Sequence, residues 1–171
     1  MTTQGALFEN EPPRYCLDTN VVVSFLKGTD DEFYGVDIFG EQWALVERLI
    51  TSGVIVAPRQ VERELYMWQR SAPSIHAWAK TFYYMFRSVE TDAQLQIAKK
   101  IVSNYPVYGM TQNYLGDLEV MSLAGAVGVA VISLESEVQE QSRRRPKIPN
   151  VCKEFGIDCV SVIGFLRRET T

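Results

Sequence analysis

Histidine is almost missing from this chain: His76 is the single one in 171 residues, and it stands far in sequence from the clusters of acids. That scarcity argues against a zinc hydrolase built on histidine ligands. Cysteine is sparse as well. Cys16, Cys152 and Cys159 lie inside apolar stretches without the paired short spacing of a zinc site, and they read as reduced core thiols of a reducing compartment. No stretch approaches the roughly 20 apolar residues of a membrane span, and no basic start leads into an apolar run. The expectation is a cytoplasmic protein with no membrane partner. Excess positive charge is lacking too, since 17 Lys and Arg face 21 Asp and Glu for a net charge of -4. That balance excludes a surface that grips nucleic acid everywhere by neutralising phosphates, and leaves room only for a local basic patch.

What is present is an ordinary globular composition, 46% apolar and 22% charged, at a length that suits one domain. The opening residues up to Glu11-Pro12-Pro13 are polar and aperiodic, so 1–13 is expected to be a flexible leader and 14–171 a single domain. Tyr15-Cys16-Leu17 reads as a buried strand, and Asp18-Thr19-Asn20 as a polar corner whose Thr or Asn caps a helix running from Val21 to Lys27. Gly28 to Gly40 reads as a loop packed by Phe33, Tyr34 and Phe39. Trp43, Val46, Leu49 and Ile50 recur at helical spacing until Gly53, Val54 to Pro58 forms a second strand, and Gln60 to Trp68 is helical again. Two helices are expected between Ser74 and Ser103, a loop from Tyr105 to Tyr114, and a helix from Asp117 to about Val127. Gly128 to Ser133 is a third strand, Val151 to Phe155 a helix, Ile157 to Val162 a fourth strand, and Gly164 to Arg168 a terminal helical turn. Strands alternating with helices imply an α/β fold with a parallel sheet, helices on both faces and right-handed crossovers.

In an open parallel sheet, ligands bind beyond the carboxyl ends of the strands where the strand order reverses. Those positions are acidic here. Asp18 ends the first strand, Glu62 and Glu64 follow the second, Asp117 opens the helix before the third, and Glu135 follows the third. Each has a plain alternative: Asp117 as a helix cap or first-turn acid, Glu62 and Glu64 as solvated helix residues, Glu135 as a loop acid. Asp18 is the hardest to explain so, because it directly follows an apolar strand. Carboxylates gathered in one cleft repel unless a cation sits among them, and hard divalent ions such as Mg2+ and Mn2+ take oxygen ligands.

The segments Leu17-Asp18-Thr19-Asn20, Ala57 to Leu65, Gly116-Asp117-Leu118 with Ala124, and Val131-Ile132-Ser133-Leu134-Glu135 together resemble, in order and spacing, the PIN-domain nucleases, a family that includes the VapC toxins. The stretch Ile148-Pro149-Asn150-Val151-Cys152 resembles a PIN-like subgroup related to those toxins. The resemblance implies a three-layer α/β/α sandwich with a central, mainly parallel sheet. It implies a metal-dependent endoribonuclease whose catalytic and metal-binding acids are Asp18, Glu64, Asp117 and Glu135, supported by Asn20 and Ser133, with Mg2+ or Mn2+ as cofactor. It also implies an RNA substrate, an antitoxin protein as partner, and a homodimer.

Arg143, Arg144, Arg145 and Lys147 follow Glu135 and are candidates for RNA binding, against the plainer reading of a solvated charge run. Tyr66, Trp68, Tyr83 and Tyr84 are candidates for base stacking, against the plainer reading of core or interface. Two further functions compete with the nuclease. A non-catalytic PIN-like module would bind RNA or protein without cutting, and the full set of four acids argues against it. A phosphatase with an aspartyl nucleophile commonly places a second aspartate two residues on, where Asn20 stands.

Overall fold

The computed structural model describes residues 10–88 and 91–171, so residues 1–9 of the expected leader lie outside the described residues. β1 (Tyr15–Leu17) runs into α1 (Thr19–Leu26), α2 (Gly40–Thr51) precedes β2 (Ile55–Pro58), and α3 (Arg59–Tyr66) follows β2 directly. Next come α4 (Pro73–Thr81), β3 (Phe86–Arg87), α5 (Asp92–Asn104), α6 (Val107–Met110) and α7 (Leu115–Val127). β4 (Ala130–Ser133), α8 (Ile148–Glu154), β5 (Cys159–Ser161) and α9 (Val162–Thr170) complete the order.

The five strands form one sheet in the order β3-β2-β1-β4-β5, and every pairing is parallel. β1, β2 and β4 are buried along their whole length, which is why they read as continuous apolar runs rather than alternating ones. Tyr15 pairs with Ile55 on one side and Ala130 on the other. The chain steps outward from β1 to β3, then crosses back over the sheet to β4, so the strand order reverses between β1 and β4. α7 carries that return and packs across β1, β2 and β4, while α2 lies on β2 and α9 on β4 and β5. Right-handed crossovers in opposite directions put α7 and α2 on opposite faces, giving a three-layer α/β/α arrangement. Gly128, with φ 78°, takes the left-handed turn that ends α7 and starts the chain back into β4.

The structure departs from the sequence expectations in several places. β3 falls in a region whose pattern predicts helix; its two residues become a strand by pairing with Ala57 and Pro58, a tertiary effect that local preference does not carry. The expected loop from Tyr105 to Tyr114 contains α6 and a turn of 3-10 helix over Gln112–Tyr114, held by Tyr108, which is buried edge-on against Tyr105 and Tyr114. α8 begins at Ile148 rather than Val151, because Pro149 sits in its first turn, where a missing N–H costs nothing. At the corner after β1, Thr19 and Asn20 are helical residues rather than caps, and Asp18 holds the cap position without a side-chain cap bond. Of the loop aromatics, Tyr34 stacks on Phe25 at 5.0 Å and Phe39 meets Tyr34, but Phe33 is exposed. The cysteines are free thiols, Cys16 and Cys152 buried and Cys159 half-buried.

Candidate active site

At the carboxyl end of the sheet, beside the reversal between β1 and β4, Asp18, Glu64 and Asp117 line one cleft of about 310 Å3. Three different elements bring them there. Asp18 follows β1, and its backbone N–H donates to the Ile132 carbonyl of β4 at 3.4 Å, which ties the corner to the switch point. Glu64 comes from α3, and Asp117 from the first turn of α7. Glu62, the other acid of that segment, instead pairs with Arg59 at 3.1 Å. Of the two acids that follow β2, Glu64 lines the cleft and Glu62 does not.

Gly116 explains how Glu64 fits. A Cβ at Gly116 would stand 2.1 Å from Glu64 Oε1, so α7 must present bare backbone where α3 presents its carboxylate. The Thr19 hydroxyl donates to Glu64 Oε2. Burial raises the Glu64 carboxyl, and the hydrogen bonds from Thr19, Gln60 and the Gly116 N–H oppose that rise. Asp18 is 2% exposed, and its Oδ2 has no hydrogen-bond partner among the described residues. Burial first, then the neighbouring charges of Asp117, Glu64 and Glu135, hold its carboxyl well above the ordinary range. Asp117 is pushed up to about 7 by burial and by Glu135 and Glu64, with Lys147 pulling the other way. These shifts describe buried carboxyls crowded together with little opposing positive charge.

Glu135 is arranged differently. Its Oε2 accepts the Ile148 N–H at the start of α8 at 2.7 Å, Lys147 Nζ lies 3.7 Å from Oε1, and its own N–H donates to the buried Ser133 hydroxyl at 3.1 Å. It acts on Asp18 and Asp117 through its charge but does not line the cleft. Asn20 is exposed and lines the cleft. Arg143, Arg144 and Arg145 are exposed, whereas Lys147 is half-buried beside Glu135. Among the described residues, no three His, Cys, Asp or Glu side chains are gathered closely enough to hold a metal ion as they stand.

Several contributors are visible only in three dimensions. Thr19, Gln60, Met67, Gln112 and Asn113 also line the cleft. Glu119 accepts the Gln60 N–H at 3.3 Å, so α7 caps the start of α3 and fixes the spacing between the helices that carry Asp117 and Glu64. An acid two residues after Asp117 and out of helical phase with it is the only sequence sign of that role.

No helix among the described residues is long and apolar enough to cross a membrane. Among solved structures, the chain is similar to VapBC2 from Rickettsia felis, determined bound to a DNA fragment from its promoter, at 14% identity and a TM-score of 0.49, covering 86% of this chain and 97% of that one. No curated protein matches the chain. The family whose model spans residues 15–171 is described as a domain of unknown function, DUF4411, and this chain belongs to it.

Proposed function

We propose that this protein is a metal-dependent nuclease of the PIN type that hydrolyses phosphodiester bonds in RNA, with Mg2+ or Mn2+ held by Asp18, Glu64 and Asp117. One observation carries the reading: three carboxylates from three elements line a single cleft at the strand-order reversal, and the most buried of them, Asp18, has an oxygen with no partner among the described residues. The donor set suits a hard cation, being all oxygen and strongly negative. The three carboxylates are not gathered into a ready three-ligand site; Mg2+ commonly takes only one or two carboxylates and completes its shell with waters and substrate phosphates. A bound ion would neutralise the clustered charge, polarise a phosphate and activate a water for attack.

The chain's own residues supply position and charge. Asp18 is fixed by its place between β1 and α1. Glu64 is held by Thr19 and admitted by Gly116. The Asp117 carboxyl is pushed up to about 7, so cation binding near neutral pH would displace protons there. Glu135, bonded to α8, adds negative charge at the edge of the cleft and supports Asp18 and Asp117 at a distance. The toxin role, with an antitoxin partner, rests on the sequence resemblance.

The test is incubation of the purified protein with labelled single-stranded RNA in Mn2+ or Mg2+, with EDTA and an Asp18→Asn, Asp117→Asn double variant as controls. Cleavage that needs both the metal and the acids supports the nuclease. Equal inactivity of wild type and double variant across varied RNA and DNA, together with no metal binding, replaces it with a non-catalytic binding module.

A further inference from the structure

A second cavity, of about 410 Å3, opens on the β3 side of the sheet, where Arg59 begins α3 and Arg87 ends β3. Among the described residues its polar lining is Arg59, Arg87, Ser88, Thr91 and Gln94, with no carboxylate. Gln94 is the decisive member. Its side chain is only 1% exposed, yet its amide nitrogen Nε2 has no hydrogen-bond partner among the described residues. Leaving a buried donor unpaired forfeits its hydration without replacing it, so an acceptor is wanted at this place. Arg87 is exposed on the outer strand and has no carboxylate partner among the described residues. Arg59 gives one nitrogen to Glu62 and keeps its other donors. The α5 terminus adds little, because Thr91 already caps the Gln94 N–H and Asp92 occupies the first turn.

Two guanidinium groups and a carboxamide N–H, with no opposing carboxylate in the lining among the described residues, recognise an oxyanion, and the planar guanidinium fork matches phosphate in particular. Gln60 lines the acid cleft and Arg59, its neighbour in α3, lines this cavity. We infer that this cavity is a phosphate subsite, in which Arg59, Arg87 and Gln94 hold a backbone phosphate of a polynucleotide whose neighbouring segment lies in the acid cleft. The choice of a polynucleotide rests on the nuclease reading; the phosphate chemistry does not.

The test is fluorescence anisotropy of labelled single-stranded RNA in EDTA, where nothing is cut, with wild type, Arg87→Ala and Gln94→Leu, and with inorganic phosphate as competitor. Arg87→Ala is expected to weaken RNA binding roughly tenfold and to lower the salt slope by about 0.7, the share of one neutralised phosphate on a single strand. Gln94→Leu removes an unpaired buried donor, so its RNA binding weakens while its melting temperature holds or rises. An unchanged Kd and salt slope in both variants, or no RNA binding by the wild type, overturns the subsite. Inorganic phosphate that binds as tightly as RNA, with the same dependence on Arg87, overturns the polynucleotide in favour of a free anion. The nuclease reading fails by a separate result, absence of metal-dependent cleavage, which leaves the anisotropy result standing.

Discussion

Asp18 and Glu135 each follow a buried parallel strand, on the two sides of the strand-order reversal, yet their carboxylates end in opposite surroundings. Asp18 is sealed in, with one oxygen unpartnered among the described residues and three other acids raising its pKa. Glu135 accepts an N–H from α8 and lies beside Lys147. A satisfied carboxylate holds structure together; a crowded, unsatisfied one destabilises the folded chain and persists where a ligand offsets the cost. On the proposed reading, cation binding belongs chiefly to the Asp18 side and support to the Glu135 side.

The largest expected effect is on activity. Residues that merely orient metal ligands typically cost about 10–100-fold when changed, so Asp18→Asn should cut metal-dependent RNA cleavage by at least about 100-fold and Glu135→Gln by about tenfold or less. Initial rates at saturating Mn2+ check this, and equal losses would erase the distinction between the two sides. Gly116→Ala sharpens it. Its Cβ would displace the Glu64 carboxylate, the end of a flexible side chain, so cleavage should fall about tenfold or more while thermal stability stays nearly level. A variant with full activity would show that the position of Glu64 is unimportant.

Stability should separate the two acids by sign. Asp18→Asn relieves buried like-charge repulsion and should stabilise the metal-free protein by about 1 kcal/mol or more, roughly 2–4 °C in Tm for each kcal/mol. Glu135→Ala loses the bond to the start of α8 and should destabilise by about 1 kcal/mol. Melts in EDTA decide it.

A further effect is a pH slope. Asp117 titrates at about 7 in the folded chain against an ordinary 3.8. Between those values the unfolded chain has released a proton that the folded chain keeps. The contribution of Asp117 to metal-free stability therefore declines as pH rises from about 4 to about 7, by no more than about 4 kcal/mol, and is level above that. Asp117→Asn should flatten this part of the profile, as read by denaturant melts across pH in EDTA. A wild-type profile that rises over the same range would show that the acids are not crowded in the folded chain.

The three fully buried strands and the acids at their ends were legible because a continuous apolar run closed by an acid leaves few alternatives. Asp18 stood out on that ground alone, whereas Asp117, in the first turn of a helix, and Glu135, two residues past its strand, each kept a plain alternative. The choice between Glu62 and Glu64 was not legible from α3 by itself, since it depends on which face meets α7; the side chain missing at Gly116 was its counterpart signal. Glu119, Thr19 and Gln60 were missed because their partners lie on other elements. β3 was missed because two residues carry no periodicity and only pairing with β2 makes them a strand. The satisfaction of Glu135 depended on where α8 begins, which the first-turn proline disguised.

The most direct measurement is calorimetric titration of Mn2+ into the metal-free protein near pH 7, in buffers of different ionisation enthalpy. Binding with net proton release is expected, lost in the Asp18→Asn, Asp117→Asn double variant and retained in Glu135→Gln. No binding by the wild type, or equal binding by the double variant, would contradict a cation site built on Asp18 and Asp117.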